Sequence, residues 1–228
     1  MYGDYKQFAG AAGSGRNDMW LYGRAGALRH WNGVRIDPID NQLLTGSISL
    51  IGAANGGTPW AVGTDNNSNQ QWLVPLSSDG VPTAPRQDLS HVVTAIHGSS
   101  PNDVWAVGSN GWMDGDARIL HFDGTSWSPV KASGISLAAV YALSATDAWA
   151  AGYQTLLHWD GLSWKAVPGL PSLYFTGVWG AASNDVWFST MSGMWHFDGS
   201  MVSSVASPLF GPGTPMRGTR ASDIWMGD

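Results

Sequence analysis

Six times along the 228-residue chain a tryptophan follows a short turn, and five of the six carry an aspartate two residues earlier. They are Asp18-Met-Trp20, Pro59-Trp60, Asp103-Val-Trp105, Asp147-Ala-Trp149, Asp185-Val-Trp187 and Asp223-Ile-Trp225. Successive tryptophans stand 40, 45, 44, 38 and 38 residues apart. A period of that size means one supersecondary unit copied along the chain, so the fold is read from the unit. It also means that most motif-like residues belong to the repeat. Function must then sit where the copies differ.

The third copy shows the unit most clearly. His91–Gly98 reads as a first strand, A, closed by the turn Ser99–Asp103, and Val104–Gly108 as strand B, rich in β-branched and aromatic residues. Arg118–Phe122 reads as strand C and Ser126–Val130 as strand D, joined by Asp123-Gly124. Asp-Gly is a strong hairpin signal, because glycine accepts positive φ and the aspartate bonds its own backbone. The fourth copy repeats the order with Ala139–Ala142, Ala148–Gly152, Thr155–Trp159 and Ser163–Val167, and the fifth with Phe175–Gly180, Val186–Ser189, Met194–Phe197 and Met201–Val205. The first runs from Phe8 to Ile39. The second is degenerate, with Trp60–Gly63 as B and Gln71–Val74 as C.

No segment sustains a helical period. Four short strands per roughly 40 residues, repeated, predict an all-β, six-membered β-propeller of four-stranded antiparallel blades. The expected blades are residues 7–40, 45–86, 90–131, 135–168, 172–206 and a partial 213–228, forming one domain over 1–228. Five blades are complete, and the sixth has only strands A and B. Three routes complete it: pairing with Met1–Lys6, β-augmentation or oligomerisation at the edge around Asp223–Gly227, or a longer parent chain.

The chain resembles bacterial tryptophan-rich β-propeller proteins built from Asn-Asp-Val-Trp-Ala-Val-Gly … Ile-Leu-His-Trp-Asp-Gly-Thr-Ser-Trp repeats. The resemblance is sharpest in Asn102–Val130, Asp147–Val167 and Asn184–Gly199. It is also loosely similar to the Asp-box turn of sialidase-type propellers, although Asp123 and Gly124 are adjacent here, as are Asp160 and Gly161. The resemblance implies a secreted or cell-surface protein.

Composition narrows the partners. Charged residues make up 12% of the chain and the formal net charge is −6, so no basic stripe exists to neutralise the phosphates of a nucleic acid. There is no cysteine, hence no disulfide framework and no thiolate metal site. Apolar runs fall short of the ~18 residues of a transmembrane helix, and the N-terminus has no signal-peptide pattern.

The copies differ in two places. The B–C loops and D–A connections, expected on one face of the ring, vary freely, while the A–B and C–D turns of the other face barely change. On the variable face, Trp112 and Tyr153 are candidate ligand contacts, with Asp114 and Asp116. Asn110, Asp114 and Asp116 offer oxygens of the kind Ca²⁺ takes, a weak site without the length or terminal Glu of an EF-hand. The second difference lies in strand A, six residues before each turn aspartate. There the copies carry Ala12, Gly52, His97, Tyr141, Trp179 and Arg217. His97, Tyr141, Trp179 and Arg217 either line a pocket for a planar or hydroxylated ligand or fill the seams between blades.

The strand-C histidines, His30, His121, His158 and His196, occur one per blade, which separates them too widely to share a metal. Bonding to a neighbouring turn is the expected role. A glycosidase needs two convergent carboxylates, and the acidic residues here are aspartates committed largely to repeat turns. The expected function is non-catalytic recognition or scaffolding, lectin-like or protein-binding, with a glycan or protein partner and no cofactor. The alternatives are a sialidase-like or other glycoside-processing enzyme, and a fragment of a larger surface protein.

Overall fold

The computed structural model describes residues 8–39, 44, 46–53, 59–90, 92–109, 117–134, 136–206, 216–220 and 223–226. They form two compact units, residues 1–92 and 93–228.

The first unit holds two antiparallel sheets in simple meander order. One comprises β1 (Phe8–Gly15), β2 (Asp18–Gly23), β3 (Leu28–Trp31) and β4 (Ile36–Pro38). The other comprises β5 (Ser47–Ala53), β6 (Pro59–Thr64), β7 (Gln71–Pro75) and β8 (Gln87–Asp88). The degenerate second copy thus does close a four-stranded sheet. Its last strand is two residues long and is reached through an excursion tied by the Leu76–Pro82 bridge. Trp20, Ile48 and Trp72, each about 1% exposed, form the core between the sheets.

The second unit opens with β9 (Val92–Ser100), β10 (Asp103–Ser109), β11 (Ala117–Phe122) and β12 (Trp127–Val130). A further sheet contains β13 (Leu137–Ser144), β14 (Asp147–Gly152), β15 (Thr155–Trp159) and β16 (Trp164–Ala166). The next contains β17 (Phe175–Ala182), β18 (Asp185–Thr190), β19 (Gly193–Phe197) and β20 (Val202–Val205). A two-stranded sheet of β21 (Met216–Arg220) and β22 (Asp223–Met226) follows.

The B strands β10 and β14 read Val-Trp-Ala-Val-Gly and Ala-Trp-Ala-Ala-Gly without polar alternation, because both faces are covered. Every residue of β14 is buried. The tryptophans fill the seams: Trp105 packs with Leu137, Ala150 and Trp164 of the following sheet, and Trp149 with Phe175 and Phe188 of the one after it. At ~25 cal/mol per Å², each buried indole contributes on the order of 4 kcal/mol.

Four of the C–D turns follow one recipe. In Asp123-Gly124 the aspartate Oδ1 accepts the backbone N–H groups of Thr125 and Ser126, and Gly124 takes φ +94. Asp160 and Asp198 do the same, and Asn32 does so with its amide oxygen.

Candidate functional site

The repeated tryptophans, histidines and aspartates form one structural cluster in each of four sheets. Trp149 pairs in register with His158 of β15, and their rings stack with centroids 4.2 Å apart. Trp20–His30 and Trp105–His121 stack likewise at 4.0 and 4.1 Å, and Trp187–His196 lie at 4.3 Å. Each histidine Nε2 lies 2.7–2.9 Å from Oδ1 of the turn aspartate in its own sheet: Asp18, Asp103, Asp147 or Asp185. In the second copy Thr58 stands two residues before Trp60, where the others carry the aspartate, and Pro75 lies opposite Trp60, so that sheet lacks the cluster.

In the third sheet Ser99 joins the cluster by donating its hydroxyl to Asp103 Oδ2. Burial alone would raise the Asp103 carboxyl, but hydrogen bonds from His121 and Ser99 outweigh it and hold the group below the usual carboxylate range. An ionised Asp103 only accepts, so His121 Nε2 donates to it. Serine and histidine therefore share one carboxylate. A nucleophilic triad needs the histidine between the other two, with the serine hydroxyl on its second nitrogen. This arrangement fixes a turn to a strand.

The strand-A candidates lie opposite the repeated tryptophans. Tyr141 pairs with Trp149, Trp179 with Trp187, and Arg217 with Trp225. His97 and Tyr141 stack at 4.2 Å across neighbouring sheets, and His97 Nδ1 accepts the backbone N–H of Ala142 at 3.1 Å. Tyr141 and Trp179 follow at 6.5 Å, and Trp179 is buried with Met194 and Met216. These three rings therefore spend much of their surface on one another and on the seams. The side chain of Arg217 and all of Asn110, Trp112, Asp114 and Asp116 lie outside the described residues.

The variable loops do come together in the second unit. A cleft of about 360 Å³ opens where three connections meet. Ser133 and Gly134 come from the D–A connection before β13, and Gln154 and Thr155 from the β14–β15 turn. Gly169, Leu170 and Pro171 come from the D–A connection before β17. Leu156 and Phe175, 2% and 1% exposed, tie the cleft to the hydrophobic core beneath it. Among the described residues, no ionisable side chain lines it.

Tyr153 and Tyr174 adjoin the lining residues Gln154 and Phe175 in the chain, and Met191 follows β18; all three side chains are exposed. Tyr153 is 46% exposed, Tyr174 40% and Met191 54%. Tyr153 and Tyr174 form a β-bridge with rings 6.2 Å apart, and the Met191 N–H donates to the Tyr174 carbonyl at 3.3 Å. Two B–C turns and one D–A connection thus bring the backbones of Tyr153, Tyr174 and Met191 together, each with an exposed side chain. Of the three, the sequence singles out only Tyr153. Tyr174 and Met191 fall in connections recognisably variable, but nothing in a linear pattern shows that they meet.

No protein-family model and no curated protein matches this chain. Solved structures do match. The WD40 β-propeller domain of Doa1 aligns with a TM-score of 0.62 at 13% identity, covering 87% of this chain and 67% of that one. YCF48 bound to D1 peptide aligns at 0.62 and 12% identity, covering 97% and 74%. The extracellular domain of the hybrid two-component system BT4673 from B. thetaiotaomicron aligns at 0.69 and 9%, covering all of this chain and 31% of that one. At such identities the likeness speaks for the fold, and that fold is a β-propeller.

Proposed function

We propose that this chain is a non-catalytic recognition module that binds a protein partner through the B–C and D–A loop face. The exposed Tyr153–Tyr174–Met191 surface beside the neutral cleft carries the proposal. Tyrosine and methionine are enriched in protein interfaces, and a contiguous exposed apolar patch marks an interaction site. The fold is compatible with such a role, since YCF48, a structural neighbour, has been solved with a peptide bound. A lectin built on a repeat would carry similar aromatic pockets in several blades, whereas among the described residues this tyrosine pair belongs to one junction. The two-stranded sheet β21–β22 is, in this reading, the inner pair of strands of a sixth blade. An extracellular setting accords with neighbours such as the BT4673 domain.

The test is selection of a phage-displayed library of random dodecapeptides on the immobilised protein. Enriched peptides are expected to lose at least tenfold in affinity when Tyr174 is changed to Ala. Peptides indifferent to Tyr153→Ala, Tyr174→Ala and Met191→Ala, or glycan-array binding competed by free sugar, would overturn the reading.

A further inference from the structure

We infer that one face of the β1–β4 sheet docks a partner protein through an acidic, tryptophan-bearing β-hairpin. This face is separate from the loop surface described above, and the inference does not rest on that reading.

Side chains alternate across a strand, so the register fixes which residues share a face. Met19 of β2 lies opposite Trp31 of β3, and Trp31 lies opposite Ile36 of β4. Two residues along the same strands, Leu21 lies opposite Arg29. Phe8 of β1 is paired with Gly23, on the same face. The row is open to solvent: Phe8 is 44% exposed, Met19 41% and Ile36 51%. In the sheets β13–β16 and β17–β20 the same positions are closed. Leu137 and Phe175 stand in place of Phe8, and Ala148 and Val186 in place of Met19, none more than 1% exposed. Trp164, in place of Ile36, is 6% exposed. An exposed apolar row spanning three paired strands marks an interaction surface.

The closed faces show what fits. On the β13–β16 face, Trp105 of the sheet before it meets Trp159, the counterpart of Trp31, at 4.9 Å. On the β17–β20 face, Trp149 meets Phe197, again the counterpart of Trp31, at 4.8 Å. In both junctions the strand of the covering indole carries Val107 or Ala151 two positions on. Paired with that residue on the neighbouring strand is Ile119 or Leu156. Two antiparallel strands with tryptophan on one and an aliphatic residue on the other are therefore what such a face accepts.

Arg29 adds a charge to this pattern. Its counterparts are Leu157 and Trp195, both packed into apolar clusters. Its guanidinium lies over the Phe8 ring at 5.7 Å, and among the described residues it pairs with no carboxylate. A cover without an acid would desolvate this cation unpaired. A second copy seated face to face would bring none. The row around Arg29 carries no carboxylate, and Asp18 and Asp37 stand with His30 on the opposite face. The occupant is thus a partner with its own acid, placed against Arg29.

The experiment selects disulfide-closed β-hairpin peptides from a phage-displayed library on the immobilised protein. Selected hairpins are expected to carry tryptophan and at least one Asp or Glu. Their affinity should fall at least tenfold against Ile36→Asp, Met19→Asp and Arg29→Glu. Changing the hairpin's acid to Lys should restore binding to Arg29→Glu. Met19 and Ile36 are exposed, so the melting temperatures of their variants should stay within about 2 °C of wild type. Hydroxyl-radical footprinting of the free protein should oxidise Met19 about as readily as the 59% exposed Met201, and well ahead of Met194 and Met216, 4% and 1% exposed. Protection of Met19 in the free monomer would mean that the chain covers its own face, and overturns the inference. Self-association abolished by Ile36→Asp assigns the face to a second copy and overturns it too. So do hairpins indifferent to Arg29→Glu. Hairpins that respond to Tyr174→Ala but to none of these changes overturn this inference and leave the loop-face reading standing.

Discussion

Trp105 and His121 face each other across β10 and β11 with ring centroids 4.1 Å apart, and the same histidine donates to Asp103 at 2.7 Å. One imidazole thus packs an indole and pins the preceding turn. His121→Leu keeps much of the packing but leaves Asp103 with Ser99 as its remaining hydroxyl partner. Hydrogen bonds to charged groups contribute about 1.5–3 kcal/mol, so we expect a loss of about 2 kcal/mol in urea denaturation. Asp103→Asn should suffer less than Asp103→Ala, because an amide oxygen can still accept.

Acid should weaken the fold through the turn carboxylates. Asp198 is held at about 2 by backbone N–H groups of Met201 and Ser200 and by the Ser200 hydroxyl, against 3.8 for the free side chain. The folded pKa is the lower one, so the unfolded chain takes up protons first and stability falls with pH. This contribution is intact above about pH 4 and disappears as pH drops toward 2. Melting temperatures measured from pH 5 to pH 2 should fall, and Asp198→Asn should fall less steeply over the same window.

Gly152 should resist replacement. A Cβ there would stand 1.9 Å from the Ser136 carbonyl oxygen, the same oxygen that accepts the Tyr153 N–H. Backbone cannot yield as a flexible side chain does, so Gly152→Ala should cost about 1–3 kcal/mol. It should also displace the Tyr153–Gln154 turn. Calorimetry reads the first effect, and loss of affinity for the selected peptides reads the second.

Asn32 fills the role that Asp123, Asp160 and Asp198 play in the other C–D turns, but its amide nitrogen also donates to Asp37 at 3.3 Å. Asn32→Asp keeps the two backbone bonds and sets a second carboxylate against Asp37. The pair is exposed, so the expected cost is small, about 0.5 kcal/mol, and should shrink as salt is added. A thermal melt at low and high ionic strength tests both points.

The sequence carried a large part of this fold because the unit is local. Asp123-Gly124 and its counterparts announce their turns within four residues, and each B strand follows its turn aspartate directly. The strand-C histidines are legible in the same way, since the register that stacks His158 on Trp149 follows from a two-residue hairpin. The second copy was the hardest to read. Thr58 and Pro75 stand where other copies carry the turn aspartate and the histidine, and a strand as short as Gln87–Asp88 leaves no period to detect.

The candidate site was legible only as a set of variable loops. Tyr153 belongs to a loop that differs from its counterparts, and the segment ending at Tyr174 is conspicuously apolar. Their meeting, and that of Tyr174 with Met191, depends on how successive sheets pack, which no pattern within one repeat records. The same holds for His97 stacked on Tyr141, 44 positions along the chain.

What the chain alone determined is therefore the repeat: six tryptophans, the turns before most of them, and the strands that follow from period and turn chemistry. What only tertiary structure decided is the use of the differences between copies. A side chain's conformational state is set by contacts distant in sequence. Gln154, at φ +49, donates its N–H to the carbonyl of Leu173 from another connection, a contact its own residue type does not announce.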